Sequence, residues 1–254
     1  MHNLKPKKFW GQHFLTDLNI AKKIADCVQV EPPHKVVEIG PGEGVMTQFL
    51  LEKHPHISVV EVDPAAVDLL TERFGLDKLT IHHVDVLKWK PSGEEPLSIV
   101  GNLPYNISSP IFFLLLEHRH IITEGVFMIQ KEVAERIAAP SGNKTYGVLS
   151  VLLQAFFKVE YEFSVPPTVF RPPPKVMSGV IRMTPLEEEP DVTFKDLRRV
   201  VKQAFGQRRK TLRNALKGLE FEEFEEWEDW KTLRAEALTV KQFIYLTSKL
   251  KKGN

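Results

Sequence analysis

Lys35-Val36-Val37-Glu38-Ile39-Gly40-Pro41-Gly42-Glu43-Gly44 is the stretch whose reading decides the fold. Lys35 to Ile39 reads as a short buried strand that runs into a glycine turn, and a helical pattern follows from Val45 to Lys53. A strand, a glycine-rich turn and a helix N-terminus form a nucleotide-cradling unit. The spacing is G-x-G-x-G, not the G-x-G-x-x-G of dinucleotide binders, so the turn alone is weak evidence. It points to a Rossmann-like α/β fold.

Two further strands strengthen that reading. Ile57 to Asp63 carries Glu61 about 20 residues after the turn, where an acidic side chain can accept from both hydroxyls of a ribose. Leu79 to Val84 then delivers Asp85, placed to meet an adenine amino group. Acids after strands are often plain helix caps, and Asp63 before Pro64 reads as one. Glycine turn, Glu61 and Asp85 at the ends of three successive strands favour binding of an adenosyl group.

A fourth strand, Leu97 to Gly101, opens onto Asn102-Leu103-Pro104-Tyr105. Asn and Pro are ordinary turn residues. The tetrad also suits alkylation of a flat, weakly nucleophilic amine. Acceptors on the Asn side chain and on the backbone next to Pro104 can hold the two amine hydrogens of adenine N6 out of plane. Tyr105 can stack on the ring, a contact worth roughly 1–3 kcal/mol per base.

The rest of the chain supplies company. Lys5 to Leu15 is a basic, aromatic entry segment, read either as a solvated tail or as a flap over a cofactor with Lys7 and Lys8 facing a polyanion. A helix starts at Thr16, and Pro32 and Pro33 end the segment. Ser108 or Ser109 caps a helix from Pro110. Val126 to Ile129 is a fifth strand, with helices over Lys131 to Ala139 and Tyr146 to Phe157. Pro166 to Val176 is a proline-stiffened loop, either a connector or a scaffold fixing Phe170 over a pocket opposite Tyr105. Ser178 to Met183 closes the sheet. Pro185 to Pro190 is the best boundary, giving a domain over 1–185 and a small all-helical one over 186–254. In the latter, Thr193-x-x-Asp196 and Thr239-x-x-Gln242 read as helix caps. Arg198 to Lys217 holds eight cations and no acid, which favours phosphate contact. Seven acids from Glu220 to Asp229 then reverse the sign.

Composition bounds the rest. The chain has 254 residues, 43% hydrophobic and 26% charged, with net charge +1, so any basic surface is local. One cysteine, Cys27, excludes an internal disulfide and reads as a buried thiol in a reducing compartment. No apolar run approaches the ~20 residues of a membrane span, and the basic start lacks the apolar core of a signal peptide. A soluble, cytoplasmic, monomeric protein is expected. No His spacing demands a metal.

Jointly, Gly11-Gln12-x-Phe14-Leu15, Glu38 to Gly44, Glu61-x-Asp63, Asn102 to Tyr105, Phe170-x-Pro172-x-Pro174-Lys175-Val176 and Gln207 to Arg213 resemble the small-subunit ribosomal RNA adenine dimethyltransferases over nearly the whole chain. The resemblance implies S-adenosylmethionine as methyl donor, S-adenosyl-L-homocysteine as product, and two adjacent adenines near the 3′ end of 16S rRNA as substrate. It assigns His13, Leu15, Gly40, Gly42, Glu61, Asp85 and Asn102 to the donor pocket. It assigns Asn102, Leu103, Pro104, Tyr105 and Phe170 to the target base. Lys7, Lys8, Arg171, Lys175, Arg208, Arg209, Lys210 and Arg213 are then expected on RNA. His13 departs from the pattern, since many relatives carry Asn there. Three rivals stand beside this reading: a resistance-type large-subunit rRNA methyltransferase, a glutamine-amide methyltransferase, and a non-catalytic assembly factor on the same fold. The Arg-rich block argues against the first two, and the intact pocket residues against the third.

Overall fold

A computed structural model describes residues 4–91 and 95–251, except for the side chain of Lys8. The expectation that Lys8 faces RNA therefore lies outside the described residues. In chain order the elements are β1 (Phe14–Leu15), α1 (Leu18–Asp26), β2 (Lys35–Ile39), α2 (Thr47–Lys53), β3 (Ile57–Glu61), α3 (Pro64–Phe74), β4 (Leu79–His83) and β5 (Leu97–Asn102). Next come α4 (Ser108–Glu117), β6 (Ile122–Gln130), α5 (Lys131–Ala138), α6 (Val148–Gln154), β7 (Phe157–Val165), β8 (Phe170–Arg171) and β9 (Ser178–Pro185). The chain finishes with α7 (Phe194–Gly206), α8 (Leu212–Ala215), α9 (Trp227–Trp230) and α10 (Val240–Ser248).

Seven strands form one sheet in the order β4-β3-β2-β5-β6-β9-β7. β4, β3, β2, β5 and β6 run parallel, and β9 is antiparallel to β6. The chain leaves β2 toward β3 and β4, then returns to the other side of β2 as β5. The carboxyl ends of β2 and β5 therefore flank the switch point where such sheets bind ligands. Ile39 stands in register with Gly101 there. A Cβ on Gly101 would lie 2.7 Å from the Ile39 carbonyl, so only glycine allows the two strand ends this close.

Two expectations about the sheet need correction. β9 does not close it; β7 does, and β7 lies where no strand was expected. The helix expected over Tyr146 to Phe157 stops at Gln154, and Phe157, Val159, Tyr161, Phe163 and Val165 then alternate as a strand. The caps divide. Asp17 accepts from Asn19 N at 2.8 Å and Ile20 N at 3.1 Å, and Thr193 and Thr239 cap as expected. Ser108 instead lies inside α4, its hydroxyl donating to the Tyr105 carbonyl at 3.2 Å. Cys27 is half-buried rather than buried, and burial pushes its thiol up to about 11.

The chain forms two compact units, one spanning Met1–Ala134 and Glu160–Pro185, the other Glu135–Val159 and Leu186–Asn254. One boundary between the units falls after Pro185. Residues 135–159, expected in the first domain, belong to the second. The reason is α6, whose buried Leu149, Val151, Leu152 and Leu153 pack with α7 and α10. Among the described residues no helix is long and apolar enough to cross a membrane, and no group of three or more His, Cys, Asp or Glu is arranged to hold a metal.

Candidate active site

A cavity of about 300 Å³ opens at the carboxyl end of β2. His13, Leu15, Gly40, Gly42, Glu61, Asp85 and Asn102, expected around the methyl donor, all line it, and so do Leu103, Pro104 and Tyr105. Gly40, Gly42 and Gly44 adopt φ of 66°, 55° and 74°, the left-handed region that favours glycine. A Cβ on Gly42 would sit 3.0 Å from two carbons of the Phe14 ring, so the turn is a cradle that a side chain would fill. Glu61 is held by three backbone donors, from Val62 and Asp63 at 2.8 Å and Gly42 at 3.2 Å. Burial raises its carboxyl against those bonds. Asp85, half-buried, accepts from Leu87 N at 2.9 Å. Two carboxylates and a bare glycine turn, walled by Val62, Val84 and Val86, fit an adenosyl group.

Glu38 adds a carboxyl that sequence reasoning left unassigned. It is buried at the cavity's base and accepts from the Thr47 hydroxyl at 2.6 Å. Burial, with the neighbouring charge of Glu61 acting in the same direction, pushes it up to about 8.

The entry segment is a strap, not a solvated tail. Asp63 caps α3 through Ala65 N at 3.0 Å, as expected, and also takes Lys7 Nζ at 2.7 Å and Gln12 Nε2 at 3.3 Å. Glu43 of the glycine turn accepts from Leu4 N at 2.7 Å and Arg171 at 2.6 Å. Phe14 and Leu15 pair antiparallel with Arg171 and Phe170. Lys7 and Arg171, expected on RNA, are thus committed to carboxylates inside the unit.

Around the tetrad, Leu103 is buried and its N–H donates to the Met128 carbonyl at 3.0 Å. The half-buried Tyr105 shares a hydrogen bond with the Ser178 hydroxyl at 2.6 Å, and burial raises its phenol. Asn102 Nδ2 donates to the His13 carbonyl at 3.0 Å. Among the described residues no donor meets its Oδ1, which is free to accept. The ring beside Tyr105 is that of His13, stacked at 5.6 Å with 29° between planes. Phe170, expected opposite Tyr105, is only 4% exposed and packs in the core with Leu15, Met128 and Val165. Pairing with Leu15 turns it inward, so the expected sandwich of Tyr105 and Phe170 is not formed.

Residues 3–251 match the family model described as ribosomal RNA adenine dimethylase. The chain belongs to this family. A ribosomal RNA small subunit methyltransferase A from Phocaeicola vulgatus is 49% identical, covering 97% of this chain and 90% of the relative. A dimethyladenosine transferase structure from Plasmodium falciparum superposes with TM-score 0.81 at 25% identity, covering 94% of this chain and 99% of that one. The 23S rRNA methyltransferase ErmE has TM-score 0.74 at 24% identity, covering 94% and 100% respectively, and shares the fold.

For a ribosomal RNA adenine dimethylase, the second unit holds the basic block. Arg209, Lys210 and Arg213 are exposed there, as is Lys175 in the first unit. Among the described residues none of the four makes an ion pair. Arg208 differs: its guanidinium donates to the carbonyls of Tyr146, at 3.3 Å, and Lys144. It clamps the turn before α6, in which Lys144 is exposed.

Proposed function

We propose that this chain transfers methyl groups from S-adenosylmethionine to N6 of two adjacent adenines near the 3′ end of 16S rRNA, as a cytoplasmic monomer acting during small-subunit assembly. The observation that carries the reading is the apposition of the Gly40 turn to Asn102 across the β2–β5 switch point, where a Cβ on Gly40 would lie 3.9 Å from the Asn102 carbonyl. When bound, S-adenosylmethionine supplies an electrophilic methyl on a positively charged sulfur. Glu61 and Asp85 hold the adenosyl end by accepting from its ribose and amino group. Asn102 Oδ1 accepts one hydrogen of the target amine and the Leu103 carbonyl the other, since Ile107 N already takes that of Pro104 at 3.1 Å. Drawing both hydrogens to one side frees the nitrogen lone pair from the ring. Tyr105 supports the base, which leaves its RNA stack at a cost of a few kcal/mol. As the N–C bond would form, the S–CH3 bond would break and its electron pair would stay on sulfur as S-adenosyl-L-homocysteine leaves; the nitrogen would then release a proton to water, so no strong base is needed. Most of the acceleration is positional.

Arg209, Lys210 and Arg213 carry the phosphate contacts that bring the RNA in. The test offers labelled S-adenosylmethionine and unmethylated small subunits to wild type and Asn102→Ala. Label in dimethyladenine of 16S rRNA, lost in the variant, is expected; label on large-subunit RNA or protein overturns the substrate. Arg209→Ala with Lys210→Ala should lower the slope of log affinity against log salt by roughly 1.5, the worth of two phosphate contacts. An unchanged slope removes that block from the interface.

A further inference from the structure

His13 touches three separate parts of its unit. Its carbonyl accepts from Asn102 Nδ2 at 3.0 Å, its ring stacks on Tyr105 at 5.6 Å, and its Nδ1 lies 2.7 Å from the Pro172 carbonyl of the proline loop. A carbonyl can only accept, so Nδ1 carries the hydrogen and Nε2 is left as an acceptor in the neutral ring. The two ends of the Asn102 carboxamide have nearly the same shape, so packing does not decide which one faces the cavity. The His13 carbonyl does decide it, because only the NH2 end can donate to it. Turning the amide over would set two acceptors against each other and offer NH2 to an amine whose own hydrogens need acceptors.

We infer that His13 is a positioning residue: its backbone fixes the polarity of Asn102, and its ring, clamped between Tyr105 and the Pro172 carbonyl, holds that backbone in place. Resting on the reading of Asn102 as the acceptor for adenine N6, this makes closure of the entry strap and assembly of the acceptor pair one event. It also makes Asn a tolerable replacement at this position. The amide nitrogen of an Asn stands where Nδ1 of a His stands and can donate to the same carbonyl, while giving up only the ring contact.

Three variants test it: His13→Ala, which loses clamp and ring; His13→Asn, which keeps the donor; and His13→Leu, which fills the space without donating. With small subunits as acceptor, His13→Ala and His13→Leu should lower kcat at saturating donor roughly 100-fold. His13 also lines the donor cavity, so affinity for S-adenosyl-L-homocysteine is read beside kcat by calorimetry, and the fall in kcat should exceed any fall in affinity at least about tenfold. His13→Asn should recover most of kcat. Independent of activity, the Asn102 side-chain amide resonance, assigned by its absence in Asn102→Ala, should exchange with solvent roughly fivefold faster in His13→Ala and His13→Leu, and as in wild type in His13→Asn. Weakened S-adenosyl-L-homocysteine binding with intact kcat would reduce His13 to a donor contact and overturn the inference. Equal behaviour of His13→Leu and His13→Asn would overturn it too. Should wild type leave 16S adenines unmethylated, the substrate reading fails, while the amide exchange still reports on the clamp.

Discussion

Replacing Asp63 separates a helix cap from an anchor for the strap. Its side chain, 1% exposed, serves Ala65 N at the start of α3 and Lys7 and Gln12 in the entry segment. Asp63→Asn keeps the cap, since Asn and Asp rank together at that position, but removes the charge Lys7 meets. Asp63→Ala removes both. A lost cap costs about 1 kcal/mol, and for a chain this long each kcal/mol moves the melting temperature by roughly 2–4 °C. Asp63→Ala should therefore melt roughly 2–4 °C below Asp63→Asn. Lys7 is 36% exposed, so solvent screens the ion pair to about 1 kcal/mol instead of the larger value of a dry charged hydrogen bond. That free energy holds the strap over the cavity, and its loss should weaken S-adenosyl-L-homocysteine binding by roughly fivefold. Calorimetric titration and thermal melts of wild type, Asp63→Asn, Asp63→Ala and Lys7→Met provide the readout. Asp63→Asn and Lys7→Met should share the weakened binding and a fall of roughly 2–4 °C in melting temperature, and Asp63→Ala should melt a further roughly 2–4 °C lower. Wild-type affinity in Asp63→Asn would refute the anchoring role, as would a Lys7→Met protein that melts like Asp63→Ala.

Gly42→Ala forces a side chain into φ 55° against the buried Phe14 ring, and should cost at least about 1–2 kcal/mol in urea unfolding while abolishing donor binding. Glu38, pushed up to about 8 when folded, binds more protons in the native than in the unfolded protein above its ordinary value of 4.5. Its contribution to stability is full below 4.5 and is lost as pH rises through about 8. Melting of wild type should thus fall relative to Glu38→Gln between those limits; parallel curves would show that Glu38 ionises normally. Tyr146 buries a hydroxyl with no hydrogen-bond partner among the described residues. Tyr146→Phe should therefore melt at or above the wild-type temperature, and a loss greater than about 1 kcal/mol would reveal a bond the hydroxyl makes.

What could be read from the chain alone was what is local. The strand from Lys35 to Ile39, its glycine turn, the acids ending β3 and following β4, and the tetrad closing β5 each announce themselves within a few residues, and the α/β class follows from their order. The lateral order of the strands is not local. β9 enters between β6 and β7, so the last strand in sequence is not the last in space. β7 alternates openly from Phe157 to Val165, but its start was absorbed into the helical pattern before it. Phe170 reads as a free aromatic in a proline loop until its pairing with Leu15 turns it into the core.

The cations show most clearly where such reading ends. Lys7 and Arg171 look available because the acids that occupy them lie 56 and 128 residues away, at Asp63 and Glu43. Within Arg198 to Lys217 the sequence itself holds no acid, and Arg209, Lys210 and Arg213 do remain exposed. Yet Arg208, in the same run, is engaged by two carbonyls. Guanidinium groups are bound by backbone oxygens as well as by carboxylates, and every residue carries such an oxygen. Counting opposite charges therefore finds the basic block, whereas the residues within it that can reach a phosphate are set by where the fold aims its peptide carbonyls.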